Sequence, residues 1–438
     1  MGGTEADPGV DLPSGCWFRC AVLSGGVCYE GIRVRRAFAS LFVATATAQL
    51  GLGIIAPILP LYAKTFAASG LQIGMVFTAF SFSRALLAPF VGRLSDRIGR
   101  KPLIVVGLLG YAVVSVLYAS ASSLWQLAVF RLLQGVAAVM VGPLAQAYVG
   151  DLIPEGREGR YMNAFYASLF IGMGVGPLLG GGIGAAWSYE AAFYAMAALA
   201  VVAVVLVWLT VPMDQTAKRR KRNIAVEHPP MRRVMANDAV RAMSVYVATR
   251  GFWRQSFNTF YPLFAVATLG VNEAAVGIVL STYMFAEGLL QIPFGLLADR
   301  YPRLRQIVVG SVFAPLMLIA VPFVGSVWAV AVLTFFMGAF SALGRSSLVA
   351  IRTELGRTHG MATLAGLQSS SFAAGQMLGP VVSGVVVDAL GLFAVFPLGC
   401  GVGFAGTAVV VRLIRRWLRK DPSASAMAQP FHARTDGG

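Results

Sequence analysis

Glu287 is the acidic residue lying deepest in an apolar stretch of this 438-residue chain, and Arg84, Arg131, Arg250 and Arg254 sit in similar surroundings. A charged side chain at bilayer depth costs several kcal/mol unless it faces a partner or a water-filled cavity, so each is a functional candidate. A buried carboxylate among arginines has two uses. It can carry a proton between two aqueous compartments, or it can stand as a structural counter-ion that never titrates. Burial and nearby guanidiniums pull its proton affinity in opposite directions, and both uses stay open from the residues alone. The aromatic residues Phe80, Phe82, Phe252, Trp253, Phe257, Phe260, Tyr261, Tyr283 and Phe285 share these stretches and are candidates for an apolar pocket wall. Helix-packing residues have the same composition.

Other chemistries lack their residues. No nucleophile–base or metal constellation is present, and no Gly-x-x-x-x-Gly-Lys-Ser/Thr run exists to cradle ATP. Cys16, Cys20, Cys28 and Cys400 show no zinc or redox spacing, and His228, His359 and His432 lie in loops or tails. The expectation is therefore a protein that is not an enzyme and needs no cofactor or metal.

The elements holding these residues are membrane spans. Hydrophobic residues make up 57% and charged residues 12%, against roughly 45–50% and 25% in soluble domains. Apolar runs of about 20 residues recur, the length that crosses the bilayer core. Twelve spans are expected: 37–63, 71–92, 103–120, 124–150, 162–185, 190–212, 240–266, 275–298, 305–325, 327–350, 362–387 and 390–412. Backbone groups in lipid must be satisfied internally, so each is a helix. The net charge of +16 is not a nucleic-acid footprint. Its residues cluster in alternate loops, from Arg33, Arg35 and Arg36 to Arg412–Lys420, while the opposite loops carry only Lys64. That bias places both termini and the central loop in the cytoplasm of a multi-pass protein of the cell (plasma) membrane. Span 1 is too long and lacks the cleavage site of a signal peptide, so it is read as an anchor. The expected organisation is a disordered tail over 1–36, a six-helix bundle over 37–212, a basic linker over 213–239, a second bundle over 240–412 and a tail over 413–438.

The chain repeats itself. The turn Gly92-Arg93-Leu94-Ser95-Asp96-Arg97-Ile98-Gly99-Arg100-Lys101-Pro102 recurs 203 residues later, Asp96 against Asp299, as Gly295 to Arg305. The same offset pairs Gly74 with Gly277, Arg97 with Arg300, Gly135 with Gly338, and Gly172, Gly176 and Pro177 with Gly375, Gly379 and Pro380. Two pseudo-symmetric six-helix bundles follow, related by an axis along the membrane normal, with a cavity between them. Arg84 and Glu287 are also repeat mates. Each lies 12 residues before its turn aspartate, about 18 Å along a helix. Arg250 is about ten residues into span 7, so a buried pair between Glu287 and Arg250 or Arg254 is expected.

The turn after span 2 resembles the loop signature of the major facilitator superfamily. Arg131 with Gln134, Gly135 and Pro143 resembles a second signature of that family. Gly172-Met173-Gly174-Val175-Gly176-Pro177-Leu178-Leu179-Gly180-Gly181 is similar to its antiporter signature, and Leu50-Gly51 with Pro57-Ile58-Leu59-Pro60 to that of the 12-spanner drug:proton antiporters. The resemblance covers about residues 37–412. It implies an all-α membrane protein of major facilitator fold that rocks two halves around a central site. It implies a cytoplasmic latch at Gly92, Asp96, Arg97, Gly99, Arg100, Asp299 and Arg300, with Gly92 allowing close helix approach. It also implies a proton-coupling role for Arg131, with Glu287 the carrier candidate by elimination.

The expected function is a secondary active transporter, a proton-coupled antiporter exporting a small organic solute, with multidrug efflux the family's pattern. The alternative is a proton symporter or facilitator importing a sugar or organic acid. Arg84, Arg250, Arg254, Gln49, Phe257 and Tyr283 are the expected cavity residues. Four arginines there favour an anionic or neutral solute over the cationic drugs for which the family usually places an acid in an early helix. Protons, the lipid bilayer and the solute are the expected partners of a monomer.

Overall fold

The computed structural model describes residues 25–152, 158–212, 231–359 and 361–420. The basic run Lys218 to Arg222, Cys16, Cys20, His228 and His432 lie outside them, as do the side chains of Cys28, Asp299 and His359. Twelve long helices follow in order. They are α1 (Gly25–Thr65), α2 (Gly70–Ile98), α3 (Arg100–Ala119), α4 (Leu124–Leu152), α5 (Glu158–Ala186) and α6 (Tyr189–Thr210). After a six-residue helix, Met231–Ala236, come α7 (Asp238–Leu269), α8 (Glu273–Arg300), α9 (Arg303–Ala320), α10 (Val327–His359), α11 (Met361–Leu390) and α12 (Val395–Lys420).

Three helices outrun an expected end by eight residues or more. α1 starts at Gly25 and not at 37, α10 runs to His359 and not to 350, and α12 runs to Lys420 and not to 412. Hydropathy ends a span where charges begin, but the backbone hydrogen bonds continue past the apolar run. Eleven of the twelve are long and apolar enough to cross a membrane. The exception, α7, carries Arg250, Arg254, Gln255 and Asn258 in its middle. Its residues from Arg250 to Ala265 are nearly all buried against α11, α12 and α1, so its polar groups face protein and not lipid.

Helix starts are set by short polar caps, and the caps repeat. Ser69 accepts from the amide of Gln72 at 3.3 Å while Gln72 Oε1 accepts from the Ser69 amide at 2.9 Å, a capping box opening α2. Asn272 accepts from the Ala275 amide at 3.1 Å and opens α8 at the equivalent place. Between α2 and α3 the chain turns on one residue. Gly99 has φ 94° and ψ 161°, a conformation that only glycine adopts readily.

Helices α1–α6 and α7–α12 form two halves joined by α2 against α11 and α5 against α8. The joints are symmetric. A Cβ on Gly74 would strike the carbonyl of Pro380, and one on Gly277 would strike that of Pro177. These seams lie toward one end of the molecule. Toward the other, where Arg93, Arg97, Arg300 and Arg412 sit, a Cβ on Gly92, Gly295 or Gly366 would meet nothing within 4 Å. Leu289, Ile292 and Leu296 are exposed on the α8 segment approaching that end. The halves are closed at one end and parted at the basic end. The close approach expected at Gly92 is therefore not made in this conformation.

Candidate functional site

Glu287 is at the middle of α8 and is 2% exposed. Its position is set by glycine: Gly338 of α10 has its Cα side against the Tyr283 carbonyl, Ala286 and the Glu287 amide. That close approach lets Arg345, seven residues further along α10, reach the carboxylate, its Nη1 donating to Glu287 Oε1 at 3.1 Å. From α7, Arg250 donates Nη2 to the same oxygen and Nε to Ser341 Oγ at 2.9 Å. Arg254, one turn on and on the same face, brings Nη1 within 3.9 Å of Glu287 Oε2. It also donates Nη2 toward Met284 Sδ at 3.1 Å and lies 5.6 Å from the centre of the Tyr283 ring. The expected pairing of Glu287 with Arg250 is present, and it belongs to a larger cluster. Three guanidiniums surround one carboxylate, a surplus of two positive charges.

The first half holds arginines without acids. Arg131 is 4% exposed, donates Nη1 to Gln134 Oε1 at 3.0 Å and lies 4.5 Å from the Phe77 ring centre and 5.6 Å from that of Phe80. Tyr118 donates to the same Gln134 oxygen at 3.0 Å, and Arg131 Nε has no partner. Aromatic faces thus offset part of the cost of burying this cation. Arg84 is exposed, with Tyr111 in electrostatic reach of both it and Arg131. Among the described residues, no carboxylate pairs with Arg84 or Arg131.

Several expected cavity residues are elsewhere. Phe257 is buried, stacked on Tyr261 at 4.9 Å and edge-on to Tyr283 at 6.4 Å. Both Phe257 and Tyr283 belong to the packed core of the second half and do not line an opening. The physical reason is that Phe257 on α7 and Tyr283 on α8 both face neighbouring helices, so these aromatic positions fill space between helices. Gln49 is half-buried and packs against Gly172. Of the turn residues, Asp96, Arg97 and Arg300 are exposed. Arg100 and Lys101 are buried, Lys101 Nζ donating to the Trp208 carbonyl at 2.8 Å. Lys101 thus fastens α3 to the end of α6. Asp299 lies in α8, its side chain outside the described residues.

The glycine-rich stretch of α5 is a two-sided seam. Side chains on Gly172, Gly176 and Gly180 would collide with α1 backbone at Ala46, Gly53 and Ile54, and one on Gly181 with the Glu273 carbonyl of α8. Pro177 supplies the carbonyl that Gly277 meets.

Arg345 was not legible as a site residue. With span 10 ending at 350 it stands five residues from a membrane edge among other basic residues. The full length of α10 puts it near mid-helix. Phe170 of α5 was also missed; its ring centre is 5.7 Å from the Arg345 guanidinium, across the boundary between the halves. Gly288 makes room for it, since a Cβ there would lie 2.8 Å from Phe170. At the closed end, Asp388 of α11 accepts from the first amides of α2, 2.5 Å from Gly70 N and 2.9 Å from Leu71 N. Tyr189 of α6 donates to Glu273 of α8 at 2.8 Å. No group of His, Cys, Asp and Glu able to hold a metal occurs among the described residues.

A family model described as Major Facilitator Superfamily matches residues 41–253 and 243–434. An uncharacterized MFS-type transporter of Methanocaldococcus jannaschii is 25% identical over 360 residues, spanning 80% of this chain and 91% of the relative. The quinolone resistance protein NorA of Staphylococcus aureus is 25% identical over 368 residues, 83% of this chain and 92% of that protein. The crystal structure of a variant of the nucleoside transporter NupG superposes with a TM-score of 0.71 at 17% identity, covering 86% of this chain and 99% of that one.

Proposed function

The chain belongs to the major facilitator superfamily, a family of membrane transport proteins and not enzymes, and on that premise we propose that it exports a small organic solute in exchange for protons. It is a multi-pass membrane protein that moves a small molecule. The finer reading is antiport by alternating access of the two halves. The observation that carries it is the charged cluster on α7, α8 and α10 of the second half, whose Arg345 meets Phe170 of the first, in a molecule closed at one end and parted at the other. In this reading the basic end faces the cytoplasm, both termini lie there, the membrane is the plasma membrane and the monomer is the working unit. Glu287 is the proton carrier. Ionised, it gathers Arg250, Arg254 and Arg345 and ties α7 and α10 to α8. Protonated, it releases them, which changes how three helices pack and so biases the two states. Arg131 tunes the first half, and the exposed Asp96, Arg97 and Arg300 latch the basic end when it closes. The α5 seam resembles the antiporter signature, and the likeness to NorA supports solute export as the direction.

Inside-out vesicles with a respiration-driven pH gradient, reported by a quenched dye, test this. Anionic, neutral and cationic compounds are added to wild type and to Glu287→Gln. Dye recovery on adding a compound, lost in the variant, is the expected result; no recovery with any compound sinks antiport.

A second reading, proton–anion symport, is favoured by one feature. Glu287 is surrounded by arginines. An organic anion competes with the Glu287 carboxylate for those guanidiniums, so anion and proton load together. Further quenching of the dye on adding an anion, the opposite of recovery, would identify it.

A further inference from the structure

We infer that Arg345, braced on Phe170, is the contact for the anionic group of an organic anion with a flat apolar body. The inference rests on the reading that a solute binds between the halves, and it holds whichever way protons move.

The cluster around Glu287 has an inside and an outside. Arg250 and Arg254 are nearly buried, at 8% and 10% side-chain exposure, and turn toward Ser341, Met284 and Tyr283. Arg345 is 35% exposed. One of its donors, Nη1, is engaged by Glu287, and its other N–H groups have no partner among the described residues. A guanidinium presents five donors in a planar fork, so an edge remains for a carboxylate, sulfonate or phosphate. The charge count agrees. One carboxylate leaves two of three positive charges uncompensated, and the first half adds Arg84 and Arg131, with which no carboxylate pairs among the described residues. A cation entering here meets repulsion; an anion lowers the energy of the cluster.

The body of the ligand is set by Phe170. Its half-buried ring lies beside the Arg345 guanidinium and beside Gly288, which has no side chain to cover it. A flat apolar group can lie against this ring while its anionic end meets the arginine. Arg345 belongs to α10 and Phe170 to α5, so a ligand held by both couples the second half to the first. Neither residue was singled out by the motifs of the chain.

The test uses the full-length protein in lipid nanodiscs and three probes of matched body: naphthalene-2-sulfonate, 2-naphthol and 2-naphthylmethylammonium. Ligand-dependent shifts in thermal unfolding give the affinities. Wild type is expected to bind the sulfonate about tenfold or more tighter than the other two, the scale of one charge-assisted hydrogen bond. Arg345→Gln is expected to abolish the preference, Arg345→Lys to keep part of it, and Phe170→Ala to weaken all three probes. A structural role for Arg345 would lower the unfolding temperature yet leave the sulfonate-to-naphthol ratio unchanged. Equal binding of the three probes by wild type, or a preference that survives in Arg345→Gln, overturns the inference. If Arg345→Gln does not fold, Arg345→Lys decides: an undiminished preference there overturns it. The vesicle assay separates the two readings. Proton movement absent with a sulfonate preference intact rejects antiport and leaves Arg345 as the contact. Proton movement present with no preference does the reverse.

Discussion

Arg84 and Glu287 stand at one and the same point of the two repeats. Gly135 packs against the Phe80 carbonyl, Ser83 and the Arg84 amide, and Gly338 against the Tyr283 carbonyl, Ala286 and the Glu287 amide. The backbone scaffold is duplicated to the residue, and the charge on it is reversed. The surroundings differ as sharply: Arg84 is exposed, while Glu287 is enclosed by three arginines. Replacing each by glutamine should therefore have unequal effects. Arg84→Gln should alter stability by less than about 0.5 kcal/mol, as for other exposed sites. Glu287→Gln leaves buried guanidiniums uncompensated and should cost about 3–5 kcal/mol. Thermal unfolding of the two variants in one detergent measures the difference; equal shifts would show that the cluster does not hold α7, α8 and α10 together.

The α5 seam separates packing from propensity. Gly180 and Gly182 are two residues apart on one helix. A Cβ at Gly180 would collide with the backbone of Ile54, which cannot swing aside, whereas one at Gly182 meets nothing within 4 Å. Gly180→Ala should cost about 1–3 kcal/mol through overpacking and lower transport. Gly182→Ala should be neutral or stabilising by up to about 1 kcal/mol, since alanine is the better helix former. Expression level and unfolding temperature of the pair give the answer, and similar losses at both would reject the close α1–α5 contact.

Gly99 makes a different demand. Its φ of 94° with ψ 161° belongs to a region open to glycine and strained for other residues. Gly99→Ala should cost about 1–3 kcal/mol. The strain falls on the joint between α2 and α3, so faster proteolysis between Ile98 and Lys101 is the accompanying sign. An unchanged cleavage rate together with unchanged stability would mean that the turn relaxes freely.

The fold was legible because the membrane fixes so much of it. Apolar runs must be helices, and the offset that pairs Asp96 with Asp299 also pairs Gly74 with Gly277, which meet Pro380 and Pro177 in the same way. Even α7, the helix too polar to pass as a span by hydropathy, is among the twelve expected spans, at 240–266. The pairing of Glu287 with Arg250 was legible for the same reason, since depth along two helices follows from counting residues. What could not be read was lateral position. Phe257 and Tyr283 have the composition of a pocket wall and the packing of a core, and sequence does not say which neighbour a helix face meets. Arg345 lies inside the expected span 10, five residues from its end, and nothing in the repeat or the motifs singled it out; α10 continues to His359, which leaves that arginine near mid-helix.

The closed end depends on a contact no motif announces. Asp388, near the end of α11, accepts from the Gly70 and Leu71 amides, two of the groups that a helix leaves without internal partners. The carboxylate also meets the positive end of the α2 dipole. This joins the two halves, so the contact must break whenever the closed end opens. Asp388→Asn removes the charge and turns one acceptor into a donor facing an amide, and the closed state should lose about 1 kcal/mol relative to the open one. A population ratio that starts small then rises about fivefold. Thr78, whose hydroxyl donates to the Met377 carbonyl at 2.8 Å deeper along the same seam, is the place to observe it. In a background freed of native cysteines, Thr78→Cys should react several-fold faster with a membrane-impermeant maleimide from the Asp388 side when Asp388→Asn is present. Labelling rates that do not differ would show that the glycine seams at Gly74 and Gly277 hold the end shut without the cap.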